Sequence, residues 1–220
     1  LGFDPENLVG NELLPERVAA ARRSLPAVTE VHAGDALQLT IPDGGFDIVY
    51  QSTVFTSLLD NDFQQRLAER MWQWVRPGGA VLWYDFVFDN PNNKDVRGVP
   101  LSRVRELFPQ GRIDARRVTL APPISRRVVR LHPFLYPLLN SLPLLRSHLL
   151  CWVEKPLVRH PDERESSPVL RPRTSRRISK VLRESIRTPT RSVHSAHGYL
   201  RRKQSITAAA GHGADCSLTL

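Results

Sequence analysis

Residues 34–50 read GDALQLTIPDGGFDIVY, and residues 74–86 read WVRPGGAVLWYDF. Between them, Asn61 to Val75 places Phe63, Leu67, Met71 and Trp74 on one side, the spacing of an amphipathic helix. Arg76-Pro77-Gly78-Gly79 closes that helix, and Ala80 to Val87 (AVLWYDFV) is the strongest strand signal in the chain. Ahead of the helix, Pro42-Asp43-Gly44-Gly45 is a turn, and Phe46 to Tyr50 is a short buried strand. Strand, helix and strand in this order form a βαβ unit, which requires two parallel strands in one sheet.

The same rhythm extends in both directions. Leu8-Val9-Gly10 reads as the end of a buried strand stopping at Glu12, and Pro15 opens a helix with Val18, Ala21 and Leu25 at helical spacing. Val28 to His32 is a β-branched run ending at Gly34-Asp35. Further on, Ser102 to Phe108 is a short helix, and Arg112 to Leu120 is a strand with a basic outer face. Leu131 to Trp152 is rich in Leu, Pro and aromatics, but Pro133, Pro137, Pro143, Arg146 and His148 interrupt it too often for a membrane-spanning helix. It reads as a Pro-broken helical hairpin leading into a last strand near Leu149 to Val153, or as a lid over an apolar substrate. The expected fold is α/β, a Rossmann-like, mostly parallel sheet with flanking helices over residues 1–156.

The 220 residues carry 31 Lys+Arg against 22 Asp+Glu, a net charge of +9. From Leu157 onward there are 13 basic and 5 acidic residues, leaving 18 and 17 for the nearly neutral body before it. The basic character therefore belongs to residues 157–220, whose Arg, Ser, Thr and Pro content without apolar period predicts a disordered tail, dispensable for the fold. On this reading the body ends near Pro156 and no sheet position is left unfilled. Cys151 and Cys216 are distant and lack ligand spacing, so the expected setting is reducing and cytoplasmic. Leu1 to Gly10 has neither the basic nor the continuous apolar region of a signal peptide.

Ligands of such sheets bind at the carboxyl ends of the strands, where Glu12, Asp35, Gln51 and Asp85 fall. An acid ending the second strand of a Rossmann-like half accepts from a ribose diol, which suits Glu12; the alternative is an acid favoured by the helix start at Pro15. An acid just past a strand can accept from an exocyclic adenine amine, which suits Asp35; the alternative is an Asp that caps a turn. His32, His132 and His148 show no metal-ligand spacing, and no metal is expected.

As an ordered set, the GDALQLTIPDGGFDIVY string, the helix and WVRPGGAVLWYDF resemble the part of class I, S-adenosylmethionine-dependent methyltransferases that follows their glycine-rich loop. The likeness is greatest to the small-molecule group that includes the ubiquinone and menaquinone methylases. It covers Gly10 to Phe88 well and continues loosely to about Pro156. The resemblance implies that Glu12 holds the cofactor ribose and that Asp35 with Ala36 holds the adenine. It implies that Gln51 and Ser52 border the methionine part, and that Tyr84 and Asp85 face the acceptor pocket.

The family's glycine-rich loop lies about 20 residues before the acidic ribose ligand. Only eleven residues precede Glu12, and they contain no G-x-G. The expectation is thus an N-terminally truncated domain, its first strand and loop missing, with doubtful activity. Asn11 and Glu30, polar residues inside strand runs, depart further from the pattern. Methyl transfer rests on alignment and needs a base only when the acceptor must lose a proton; Asp85 is the candidate base, and a structural Asp is its rival. The expected activity is methyl transfer to a small-molecule, lipid or sugar acceptor. The rivals are a non-enzymatic remnant that binds little, a protein whose basic tail grips nucleic acid, and an NAD-dependent reductase using Glu12, which would lack a Tyr-x-x-x-Lys pair and leave Arg76-Pro77-Gly78-Gly79 without a role.

Overall fold

The computed structural model describes residues 4–132 and 134–157 and the backbone of residues 217–219. The tail residues 158–216, which carry the basic excess read from the sequence, lie outside the described residues. The elements in chain order are β1 (Val9–Glu12), α1 (Pro15–Ser24), β2 (Glu30–Ala33), β3 (Phe46–Ser52), α2 (Asn61–Trp74) and β4 (Val75–Phe86). There follow α3 (Leu101–Leu107), β5 (Arg112–Leu120), α4 (Pro122–Leu131), α5 (Leu135–Asn140), β6 (Arg146–Glu154) and β7 (Ser217–Thr219).

One sheet holds all seven strands in the order β2-β1-β7-β3-β4-β6-β5. β1 pairs parallel with β2 and β3 parallel with β4, while β6 runs antiparallel between β4 and β5. β7 runs antiparallel to both β1 and β3, so β1 to β5 all point the same way. The α/β, Rossmann-like architecture expected from the sequence is present. The sheet does not end at β6, however: the three residues of β7 lie between β1 and β3, a position the sequence reading did not foresee.

Helix α2 forms where the sequence places it, because Asp60 caps it through Oδ1 to the Asp62 and Phe63 N–H groups and its apolar stripe has a sheet to cover. Leu67, Ala68, Met71 and Trp74 pack with Val49, Val81 and Trp83 of the sheet and with Val104, Leu107 and Phe108. Phe55 and Trp83 meet with ring centroids 4.5 Å apart. Alternation along β4 sends Ala80 and Leu82 to the opposite face, into a smaller cluster with Trp152, Ile48 and Leu150.

Arg76-Pro77-Gly78-Gly79 is a bulge inside β4 and not a loop before it. The register with β3 jumps from Phe46↔Val75 to Ile48↔Ala80. Gly78 takes a φ of +79°, and a Cβ on Gly79 would stand 2.6 Å from the Asp47 carbonyl oxygen. The Gly78 N–H donates to the Lys155 carbonyl at 2.8 Å, and the Lys155 N–H donates to the Gly79 carbonyl at 2.9 Å. The Lys155 ammonium turns back to the Trp72 and Val75 carbonyls at 2.6 and 2.7 Å, a cation at the carboxyl end of α2. Other differences are local: β2 starts at Glu30 because Val28 and Thr29 belong to a turn closed by Thr29 N–H to Pro26 O. Helix α4 precedes the expected Pro-broken hairpin, and the last strand begins at Arg146.

Gly79→Ala forces the Asp47 carbonyl away from its place in β3. It is expected to lower stability by about 1–3 kcal/mol, the scale of overpacking at a closed site, read as the shift in urea midpoint.

Candidate functional site

The carboxyl ends of β1, β2, β3 and β4 bring the sequence-predicted residues to one edge of the sheet. Glu12 is the last residue of β1 and is buried. Its Oε1 accepts the Leu14 N–H at 3.1 Å. Burial pushes its pKa up, against the pull of the Leu14 and Leu13 N–H groups and of Arg17. Asp35 follows β2 and caps the 3₁₀ turn Ala36–Gln38, its Oδ1 accepting the Leu37 N–H at 2.9 Å. That is the turn-capping role weighed as the alternative for this residue. Ala36 is buried with Ile41 in the main core.

Asn11 finds its reason here. Its side-chain amide donates to the Gly34 carbonyl at 3.0 Å, and the Gly34 N–H donates to the Glu12 carbonyl at 2.9 Å, so the ends of β1 and β2 are tied together. A buried polar residue beside the site acid was the signal that sequence alone could not interpret. Glu30, by contrast, stands exposed at the start of β2, 3.1 Å from His32 Nε2.

Gln51, on β3, is fully buried at 0% exposure. Its Oε1 accepts the Val54 N–H at 3.2 Å, while its Nε2 has no partner among the described residues. Ser52 ends β3 opposite Tyr84 of β4. Thr53 then adopts a φ of +57°, a left-handed conformation that a β-branched residue enters at a cost on the order of 1–3 kcal/mol. Its N–H is held by the Tyr84 carbonyl at 2.8 Å. Nothing in the sequence marked Thr53.

Tyr84 and Asp85 are consecutive on β4 and so point to opposite faces. The Tyr84 hydroxyl meets Thr119 Oγ1 at 3.0 Å, its ring stacks on His148 at 4.8 Å, and burial pushes its pKa up. His148 is buried against Tyr84 and Phe86, and its pKa falls to about 4, so it is neutral near pH 7. Asp85 is 0% exposed and lies beneath the loop after β3. Its carboxylate accepts the Thr56 N–H at 3.2 Å, the Phe86 N–H at 2.8 Å and the Thr56 hydroxyl. Burial outweighs these bonds and raises its pKa to about 6. The geometry thus gathers Glu12, Asp35, Gln51 and Ser52 at one edge, and engages Asp85 beneath it.

Residues 2–83 match the family described as a methyltransferase domain. Over that stretch the chain is similar to that family. The demethylmenaquinone methyltransferase of Deinococcus radiodurans is 34% identical over 82 residues, which are 36% of this chain and 33% of the relative. The match therefore spans about a third of that relative's length. Among solved structures, an S-adenosylmethionine-dependent methyltransferase from Archaeoglobus fulgidus superposes with a TM-score of 0.49 at 13% identity, over 67% of this chain and 75% of that one. One from Methanosarcina mazei gives 0.48 at 13% identity, over 68% and 82%. The matched span includes Glu12, Asp35, Ala36, Gln51 and Ser52 and stops one residue before Tyr84. Among the described residues no group of three or more His, Cys, Asp and Glu could hold a metal.

Asp85 makes the protein's stability depend on pH in a defined sense. A carboxyl whose pKa is raised by folding from 3.8 to about 6 costs nothing when protonated, and its penalty grows as pH rises through that interval. The stability of Asp85→Asn minus that of the native chain is expected to rise by about 2 kcal/mol between pH 4 and pH 7. Urea unfolding across that range measures it, and a flat difference contradicts the raised pKa.

Proposed function

We propose that this chain carries the S-adenosylmethionine-binding part of an enzyme that methylates a small-molecule, lipid or sugar acceptor. The observation that carries the reading is the pairing of a buried amide at Gln51, without a partner among the described residues, with the buried carboxylate of Glu12. Both stand beside β7, Glu12 opposite Ser217 and Gln51 opposite Leu218. Two strand spacings separate β1 from β3, roughly 10 Å, which suits a ligand with a ribose at one end and an amino acid at the other.

Two backbone bonds to Glu12 leave about half of its lone-pair positions for a ribose diol. A diol donating there would also offset the burial that now raises its pKa. Asp35 keeps Oδ2 for an adenine amine while Oδ1 holds the turn. The Gln51 amide would donate to the carboxylate of the methionine part, with Ser52 beside it. The bound cofactor supplies an electrophilic methyl group, so the protein's task is alignment and exclusion of water. Tyr84 would face the acceptor. Asp85 acts by holding Thr56 and with it the loop after β3, because taking a proton from an acceptor would require it to release three donors. The name of the Deinococcus relative supports a small apolar acceptor. The buried, unpaired Cys151 supports a reducing setting, the cytoplasm.

Calorimetry with S-adenosylhomocysteine tests the assignment. Glu12→Ala is expected to weaken binding by about 1–3 kcal/mol, the scale for losing a charged acceptor. Gln51→Glu, which keeps the oxygen serving Val54 and removes the free donor, is expected to weaken it comparably. Unchanged affinity in the first variant returns Glu12 to the role of a helix-start acid.

A further inference from the structure

Between Asp114 and Glu154 the sequence holds no carboxylate, but it holds Arg116, Arg117, Arg126, Arg127, Arg130 and Arg146. Within this stretch α4 divides cleanly. Ile124 and Val128 stand one turn apart on one side, Arg126 and Arg130 are exposed on the opposite side, and Arg127 is exposed at the border between them. Val128 is buried, which fixes the inward side of the helix.

The hairpin that follows presents its apolar residues outward. Leu131 is 77% exposed, Phe134 66% and Leu144 86%. Val129, Leu138 and Leu142 are about half exposed. Phe134 and Leu138 are joined by the Leu138 N–H to Phe134 carbonyl bond, which sets them one above the other along α5. Scattered apolar residues are ordinary on a protein surface, but six within sixteen positions of one hairpin are a patch that seeks a partner.

We propose that the outer side of the α4–α5 hairpin is a docking surface for an anionic lipid bilayer. The charge complement is on the hairpin itself: three exposed arginines on α4 and no acidic residue to oppose them. A segment with exposed Leu and Phe beside Arg lies in the headgroup region, its apolar side chains below the phosphates and its guanidinium groups among them. The patch is aliphatic apart from Phe134, which leaves little for nucleobases to stack on, so a lipid surface fits better than a nucleic acid. No helix among the described residues is long and apolar enough to cross a membrane, so the contact is peripheral. The proposal does not depend on methyl transfer.

Co-sedimentation of the full chain with vesicles of phosphatidylcholine, alone or with a third phosphatidylglycerol, tests it. At high salt, where the charges of residues 157–220 are screened, the chain is expected to remain on the mixed vesicles. The substitutions Leu131→Ser, Phe134→Ser and Leu144→Ser together are expected to lower the partition by at least about tenfold, with circular dichroism unchanged because all three sites are exposed. Arg126→Gln, Arg127→Gln and Arg130→Gln together are expected to remove the preference for the anionic vesicles. Equal partition of the serine variant and the native chain overturns the proposal. So does binding to single-stranded RNA that the same serine substitutions abolish.

Discussion

The register of β4 is the constraint on which the rest of the structure depends. Side chains alternate along a strand with period two, so a slip of one residue would exchange every side chain between the two faces. Tyr84 would then fall beneath the loop after β3, and Asp85 would meet Thr119. The bulge at Arg76-Pro77-Gly78-Gly79 removes that freedom, because its extra residues fit only while Gly79 lies against the Asp47 carbonyl. Lys155 holds the bulge from the other side through two backbone bonds and closes α2 with its ammonium group. Arg76 also pairs with Asp47, joining the two signature stretches directly. One short segment thus ends a helix, begins a strand and sets which face each site residue occupies.

Around the strand ends the protein keeps polar groups in places where apolar ones would be more stable. Asn11, Glu12, Gln51 and Asp85 are all buried. Asn11 and Asp85 are satisfied, and they hold backbone: the turn after β2 and the loop after β3. Glu12 and Gln51 are satisfied only in part, with one carrying a raised pKa and the other an unpaired amide. Thr53, held in a left-handed conformation between them and Tyr84, adds backbone strain at the same edge. Unsatisfied groups and strain that collect at one edge are what a binding site needs and a core avoids.

The fold was legible where periodicity and turn chemistry agreed. The Phe63, Leu67, Met71, Trp74 stripe and the turn at Pro42 to Gly45 announced β3, α2 and β4 without help from tertiary contacts. Glu12 and Asp35 were legible as acids at strand ends. Other features were hidden because their meaning lies in partners far along the chain. Asn11 reads as an anomaly until Gly34 is beside it, and Lys155 is one lysine among many until it reaches Trp72. The extent of β4 was misjudged because Pro and two Gly residues read as a break, whereas a bulge accommodates them inside a strand. Helix α4 escaped notice because two prolines and three arginines masked a short apolar stripe that shows itself only in the burial of Val128.

The three-residue β7 has a consequence for how the protein breathes. Among the described residues, β1 and β2, with α1 on their side, are hydrogen-bonded to the rest of the sheet only across Ser217–Thr219. Val18 and Val31, the buried apolar residues of that ribbon, stand outside the main core cluster, which Ala36 and Ile41 join only after β2 has ended. The sheet therefore has a narrow seam at β7. Amide hydrogens of β1 and β2 should exchange through a local opening that leaves β3, β4, β6 and β5 closed. Glu12 and Gln51 sit on opposite sides of that seam. A ligand touching both would act as a clasp, binding the protein and at the same time joining its two halves.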